Sequence, residues 1–387
     1  MPPPPPEPPA QPGTTAEPGL SSTAPPVLPQ WDYLFGVGGG YNSNVFFLPG
    51  GPADNVFTSR AQISRMSRSP TGESRVEASG RAVAYLQQQQ DQVAIDAALS
   101  ASGRHDTGAR TSVSGLISGG LGHTDDSVLL QEQGVALPFS QVRFARAEAG
   151  VLWKTSSRTT LEIRGRGYYD DYVPPQLVDS RSLRGSLRLS RQLGEHSALS
   201  AEYSVERAHS DASYTTQFAS LQLDRRVSTR SGYLLEGGVS HTDYSKVPPG
   251  GPPAWNFYGG ASLARVTGAA STALFYRREV IPAFGLGGVG LTDRVGLRTS
   301  SRVGRSLDLS AEASYVRRNS SAQDVTARSE SGEGRLAVQK RLGRRFELGT
   351  TLDYRRYVRP APNPPVEQFQ AQVALAVVNP RAGISGP

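Results

Sequence analysis

The 387-residue sequence contains no cysteine. That excludes disulfides, thiolate metal sites, cysteine nucleophiles and a lipoprotein anchor together. Long apolar runs are also missing. Val373-Ala374-Leu375-Ala376-Val377-Val378 falls far short of the roughly 18 residues a membrane-spanning helix needs. Lysine occurs only at Lys154, Lys246 and Lys340, so arginine carries nearly all of the basic charge behind a net +7. The arginines are scattered among acidic residues, with no basic block interleaved with aromatics, which argues against nucleic acid as a partner. The five histidines form no HxH or HExxH pair, so neither a metal nor any other cofactor is expected. The first residues, Met1-Pro2-Pro3-Pro4-Pro5-Pro6, have no basic n-region and no apolar h-region. An exported protein needs such a leader, so the expectation is that it is missing from this version of the sequence.

Only 37% of residues are hydrophobic, and mean hydropathy is −0.39. These values suit a soluble protein. They equally suit a membrane barrel, in which half of every strand faces water.

The chain divides into three regions. Residues 1–30 hold 12 of the 29 prolines and read as a disordered or polyproline-like periplasmic tail. Residues 31–378 read as a barrel, and 379–387 as a C-terminal tail. Within the middle region, side chains alternate with a period of two. Val76, Ala78, Gly80, Ala82 and Ala84 alternate with Glu77, Ser79, Arg81, Val83 and Tyr85. Leu183, Leu187 and Leu189 oppose Arg184, Ser186 and Arg188, and Leu348, Thr350 and Leu352 oppose Glu347, Thr351 and Asp353. This is strand alternation. Such segments fall at 32–41, 55–67, 74–87, 92–104, 107–119, 140–155, 158–170, 180–193, 196–207, 216–227, 230–241, 255–266, 269–279, 291–301, 305–317, 326–341, 344–357 and 366–378. They predict an all-β fold, a transmembrane antiparallel up-and-down barrel of about 18 strands.

The connections carry the membrane reading. Thr155-Ser156-Ser157, Leu193-Gly194-Glu195, Thr267-Gly268, Val303-Gly304 and Leu342-Gly343 are short. The intervening 42–54, 120–139, 171–179, 208–215, 242–254, 280–290 and 358–365 are long. Short turns in the periplasm and long loops outside the cell characterise outer-membrane barrels, and an even strand number leaves both termini periplasmic. Prolines beyond the tail fall in loops, turns and strand approaches, where no ladder hydrogen bond is lost. Tyr168, Tyr169, Tyr172, Trp255, Phe257, Tyr258, Phe275, Tyr276, Tyr354 and Tyr357 cluster near the long loops and suggest one interfacial aromatic girdle. Trp31, Tyr33, Trp153 and Phe346 suggest the other.

No catalytic constellation stands out. Gly285-Leu286-Gly287-Gly288-Val289-Gly290 matches a dinucleotide fingerprint in letters, but no helical period follows it. His209-Ser210-Asp211 cannot converge as a relay, being consecutive. His123, His241 and the pair Asp170-Asp171 read as polar loop residues, so no enzyme is expected. The informative set is the face turned to the lumen. Alternation places there Arg81, Arg110, Arg146, Arg164, Arg166, Arg184, Arg188, Arg294, Arg298 and Arg335, with Glu77, Glu148, Glu162, Glu202, Glu312, Glu333, Glu347 and Asp353. Forked arginine–carboxylate bonds would brace the inner wall. An arginine track would also attract anionic solutes or acidic sugars.

The run Tyr41-Asn42-Ser43-Asn44-Val45, after the glycine-rich Gly36-Val37-Gly38-Gly39-Gly40, resembles the first strand and loop of the outer-membrane β-barrel porin family of Gram-negative bacteria. The Pro-rich tail and Arg-rich barrel are similar to its exopolysaccharide-export members. That resemblance implies a passive pore for a polysaccharide, fed by periplasmic export machinery and embedded among outer-membrane lipid and lipopolysaccharide. A general diffusion porin for small solutes, and a structural or adhesive barrel with a plugged lumen, are the alternatives.

Overall fold

A computed structural model of the chain describes residues 30–44, 50–86, 93–123, 141–173, 178–209, 213–244, 254–282, 289–322, 325–358 and 364–379. Among these there is no helix. The strands are β1 (Gln30–Asn42), β2 (Asp54–Ser69), β3 (Gly72–Tyr85), β4 (Val93–Asp106), β5 (Thr111–His123), β6 (Gln141–Lys154), β7 (Thr159–Tyr172), β8 (Ser180–Gly194) and β9 (Ser197–His209). They continue with β10 (Ser213–Ser228), β11 (Ser231–Tyr244), β12 (Trp255–Thr267), β13 (Ala270–Pro282), β14 (Val289–Val303), β15 (Leu307–Ala322), β16 (Val325–Arg341), β17 (Phe346–Val358) and β18 (Val366–Val378).

Each strand pairs antiparallel with its sequence neighbours, and β1 pairs with β18 from Leu34↔Val378 to Asn42↔Gln370, so the 18-stranded sheet closes. Closure removes both sheet edges and satisfies the backbone groups of every strand, the condition for crossing lipid with strands. The count of 18 is the one the alternation predicts.

The closing seam depends on small residues. Gly36, Gly38 and Gly40 of β1 pair with Ala376, Ala374 and Gln372 of β18. A Cβ added at Gly38 would lie 2.6 Å from the Val373 carbonyl oxygen and 2.9 Å from the Ala374 Cβ. The obstacle is largely backbone, so it cannot rotate away. Gly38→Val is expected to strain closure by about 1–3 kcal/mol. Gly39→Val is the control, because its nearest neighbour would be 3.8 Å away. The heat-modifiable mobility of the folded barrel in detergent gels should be weakened by the first substitution and kept by the second.

The two faces differ as the alternation requires. Phe35, Val37, Ile63, Ile95, Leu99, Ile163, Leu187, Leu189, Leu221, Leu263, Leu274, Leu297, Leu336 and Leu375 all expose their side chains on the outer face. Exposed apolar surface on this scale has no place in water and forms the lipid-facing band. The inner face is mostly serine, threonine, glutamine, arginine and carboxylates.

The aromatics need a correction. Tyr169, Trp255, Phe257, Tyr276 and Tyr354 lie on the outer face toward the long loops, joined by Tyr41, Phe57, Tyr315 and Phe369. Tyr168, Tyr172, Tyr258, Phe275 and Tyr357, expected in the same girdle, face inward. They share a strand end with the girdle residues but sit one position out of phase. Trp31, Tyr33, Trp153 and Phe346 are exposed at the opposite, turn-bearing end.

Several loop boundaries also move. The β9–β10 connection is only 210–212, because both strands run further than the pattern indicated. β5 spans 111–123 instead of 107–119. The remainder of the expected 120–139 loop lies outside the described residues, as do the Pro-rich tail and most of 280–290.

Candidate functional site: the inner wall

The register fixes which side chains share the lumen. On consecutive strands β6, β7 and β8 the pairs Glu148↔Arg166 and Arg166↔Arg184 lie directly opposite one another. Arg146 is one inner position from Glu148, so Arg146, Arg166 and Arg184 form a slanted row across three strands. Glu162 and Arg164 occupy the next inner positions of β7, and Arg188 stands opposite Glu162. Arg81 and Glu77 share the inner face of β3. Arg294 and Arg298 share that of β14, Arg335 that of β16, and Glu202 that of β9.

Arg110 does not belong to this set. It lies in the short turn between β4 and β5, exposed, where its carbonyl accepts the Lys154 amide at 2.7 Å. The sequence reading began β5 four residues early and so counted a turn residue as wall.

Most of these residues are paired. Arg164 reaches Glu148 at 3.4 Å and Glu162 at 2.5 Å. Arg184 lies between Glu202 at 3.7 Å and Glu206 at 3.9 Å, over the Phe218 ring at 4.7 Å. Arg298 meets Glu312 at 2.8 Å, Arg335 meets Asp353 at 3.2 Å, and Arg355 meets Glu333 at 3.7 Å. Arg81 is 3.9 Å from Asp96, and Glu77 takes a hydrogen bond from Arg75 at 2.7 Å. Each pair joins neighbouring strands, or successive inner positions of one strand, so the pairs brace the wall.

Others lack a carboxylate. Among the described residues, Arg146, Arg166 and Arg294 have no acidic group within 4.0 Å; Arg146 packs over Phe144 and Arg294 over Phe275. Arg188 donates to the neutral Gln222 Oε1 at 2.6 Å and Ser200 Oγ at 3.4 Å. Arg146, Arg164 and Arg166 are exposed, and they lie on an arc of wall open to the lumen.

The lumen is not uniform along its axis. Near the long loops the inner face is buried: Asp54, Val56, Ser182, Glu206, Tyr214, Thr242, Thr292, Val316, Arg318 and Tyr357 all have little exposure. At the turn-bearing end the inner residues Arg104, Lys154, Gln192, Arg226 and Gln339 are exposed. The inner face is therefore open toward the turns and closely packed toward the loops. Ala208, Tyr214 and Phe218 form part of a buried apolar cluster there, flanked by Tyr244 and Tyr258.

The sequence reading missed Glu206, Asp96, Arg318 and Arg355. Glu206 accepts from Ser182 Oγ at 2.6 Å, and Asp96 is 2.8 Å from His123 Nδ1. Asp96, Glu206 and Arg355 keep the inward parity inside the segments 92–104, 196–207 and 344–357, and Arg318 follows one residue past 305–317, so the same alternation points to all four. His123 ends β5 and does not sit in an open loop, and His241 is a strand residue whose ring packs 4.6 Å from that of Trp255. Asp170 is buried on the inner face, whereas Asp171 faces out and pairs with Arg143 at 3.6 Å. Among the described residues no group of three or more His, Asp or Glu is placed to hold a metal.

No family model matches the sequence, and no curated protein matches it. Solved structures do resemble it. The outer membrane protein OpdK of Pseudomonas aeruginosa superposes with a TM-score of 0.50 at 12% identity, over 90% of this chain and 98% of that one. OccK9 (OpdG) of the same organism gives a TM-score of 0.50 at 13% identity with the same coverage. At such identity the likeness is one of fold, a closed 18-stranded antiparallel barrel of the kind found in the outer membrane.

Proposed function

We propose that this barrel is an outer-membrane channel for small hydrophilic solutes, with a preference for anions. The observation that carries the reading is the slanted row Arg146–Arg166–Arg184 on the open arc of the inner wall, of which Arg146 and Arg166 have no carboxylate within 4.0 Å among the described residues. Arginines already paired in a lattice are neutralised locally. Those left over face water and set the sign of the potential along the path. A barrel of 16–18 strands leaves room for water in its lumen, and close packing of the inner face toward the loops favours solutes over a polymer of large cross-section. Export of a polysaccharide, implied by the sequence resemblance, gains no support from the structural neighbours. The long loops face outward and the termini inward in this reading.

The test is reversal potential in planar bilayers under a potassium chloride gradient. The wild-type channel should favour chloride over potassium by several-fold. Arg146→Gln with Arg166→Gln should bring the ratio close to unity without loss of conductance. A cation-selective wild type, or an unchanged ratio in the double variant, would overturn the assignment.

A further inference from the structure

The outer face carries a second, separate group of arginines. Arg143, Arg278 and Arg356 point outward near the loop end, and each is matched there: Arg143 to Asp171 at 3.6 Å, Arg278 to Asp293 at 3.5 Å, Arg356 to Glu367 at 3.4 Å. Arg181 and Arg207 differ from these three. Both are exposed outer-face residues on neighbouring strands β8 and β9, and among the described residues neither has a carboxylate within 4.0 Å. Arg181 stands opposite His209, and Arg207 opposite Leu183. The two arginines are therefore diagonal neighbours, with Cβ atoms about 7–8 Å apart or somewhat less. Their height is defined by what surrounds them. Tyr169 stands beside Arg181, and Tyr203, Leu183 and Leu187 lie toward the apolar band. Arg181 and Arg207 thus occupy the upper edge of the aromatic girdle, where acyl chains give way to headgroups.

We infer that Arg181 and Arg207, with His209 beside them, form a docking site for the phosphate of a phosphorylated membrane glycolipid in the outer leaflet. Two guanidinium groups at diagonal positions can share one phosphate through forked, charge-assisted hydrogen bonds. The lack of a carboxylate within 4.0 Å among the described residues distinguishes them from Arg143, Arg278 and Arg356. A lipid is chosen over a soluble phosphate because the site adjoins the apolar band: Leu183 and Leu187 receive the acyl chains of the molecule whose phosphate the arginines hold. Tyr169, one strand away, supplies the interfacial ring beneath the headgroup. The site lies on the outside of the barrel and is independent of what the lumen passes.

The test uses the full chain in phosphatidylcholine nanodiscs doped with diphosphorylated lipid A or with its dephosphorylated counterpart, read by retained lipid in native mass spectrometry. Wild type should retain the diphosphorylated form at least about tenfold better than the dephosphorylated one. Arg181→Gln with Arg207→Gln should abolish that preference, and Arg278→Gln, at a matched position, should leave it within about twofold. Heat-modifiable gel mobility establishes that each variant is folded; single substitutions at Arg181 and Arg207 serve if the double variant is not. Equal retention of both lipids by wild type, or an undiminished preference in the variants, would overturn the site. Displacement of the lipid by millimolar inorganic phosphate would show a soluble-anion site instead and overturn the lipid assignment.

Discussion

Leu187→Arg should cost about 2–4 kcal/mol of folding free energy in a bilayer, while Ser186→Arg, one residue away, should cost less than about 1 kcal/mol. Leu187 is the midpoint of β8 and faces outward between Ile163 of β7 and Tyr203 of β9. Both neighbours are exposed rings or aliphatic side chains of the outer face, so an arginine there sits in the lipid-facing band with no carboxylate beside it. Ser186 faces the lumen, opposite Arg164 and Ser204. A guanidinium at that position meets water and one like charge, and Arg164 already has Glu148 and Glu162 within reach. Leu352→Arg, at the centre of β17, should repeat the larger effect on the far side of the barrel. Equilibrium folding into short-chain lipid vesicles, followed by tryptophan fluorescence across a urea series, measures the difference. Equal costs at positions 186 and 187 would mean that the two faces are wrongly assigned.

The same parity explains what the sequence could disclose. A period of two is a strong signal when one face must be apolar for lipid, and a one-residue slip would turn every side chain to the wrong side. Strand number and the inner positions of Arg164, Arg184 and Arg335 followed from that constraint alone. Strand ends are less constrained, because turns and the headgroup region accept polar residues on either face. Arg110 was misplaced for that reason, and the inward Tyr168, Tyr172 and Tyr357 were grouped with a girdle they only adjoin. Which arginine meets which carboxylate was not legible. Pairing depends on cross-strand register, and register is set by turn geometry and closure as much as by the pattern along one strand. Arg188 illustrates the point: it stands opposite Glu202, yet Glu202 meets Arg184 and Arg188 turns to Gln222. That Arg146 and Arg166 have no carboxylate within 4.0 Å among the described residues is likewise a consequence of register and not of the pattern along one strand.

The inner lattice should likewise divide into strong and weak members. Asp353→Ala is expected to destabilise the barrel by about 3 kcal/mol, and Glu162→Ala by less than about 1 kcal/mol. Both substitutions remove a carboxylate that touches an arginine on the inner wall, so a count of ion pairs treats them alike. Their surroundings differ. Asp353 is buried, its partner Arg335 at 3.2 Å is half-buried, and Arg355 with Glu333 at 3.7 Å forms a second buried pair on the same two strands. Removing the aspartate leaves a poorly hydrated guanidinium beside another cation, and most of the cost is that stranded charge. Glu162 lies on the open arc, its partner Arg164 is exposed, and Glu148 remains 3.4 Å away to take over. Water and the second carboxylate together compensate its loss. Asp353→Ala combined with Arg335→Ala should recover much of the stability lost by the single change, since the double variant leaves no charge at those two positions. Unfolding in urea from lipid vesicles measures all three variants. If Asp353→Ala and Glu162→Ala cost the same, the β16–β17 pairs are as well hydrated as the open arc, and the close packing of the inner face does not reach their level.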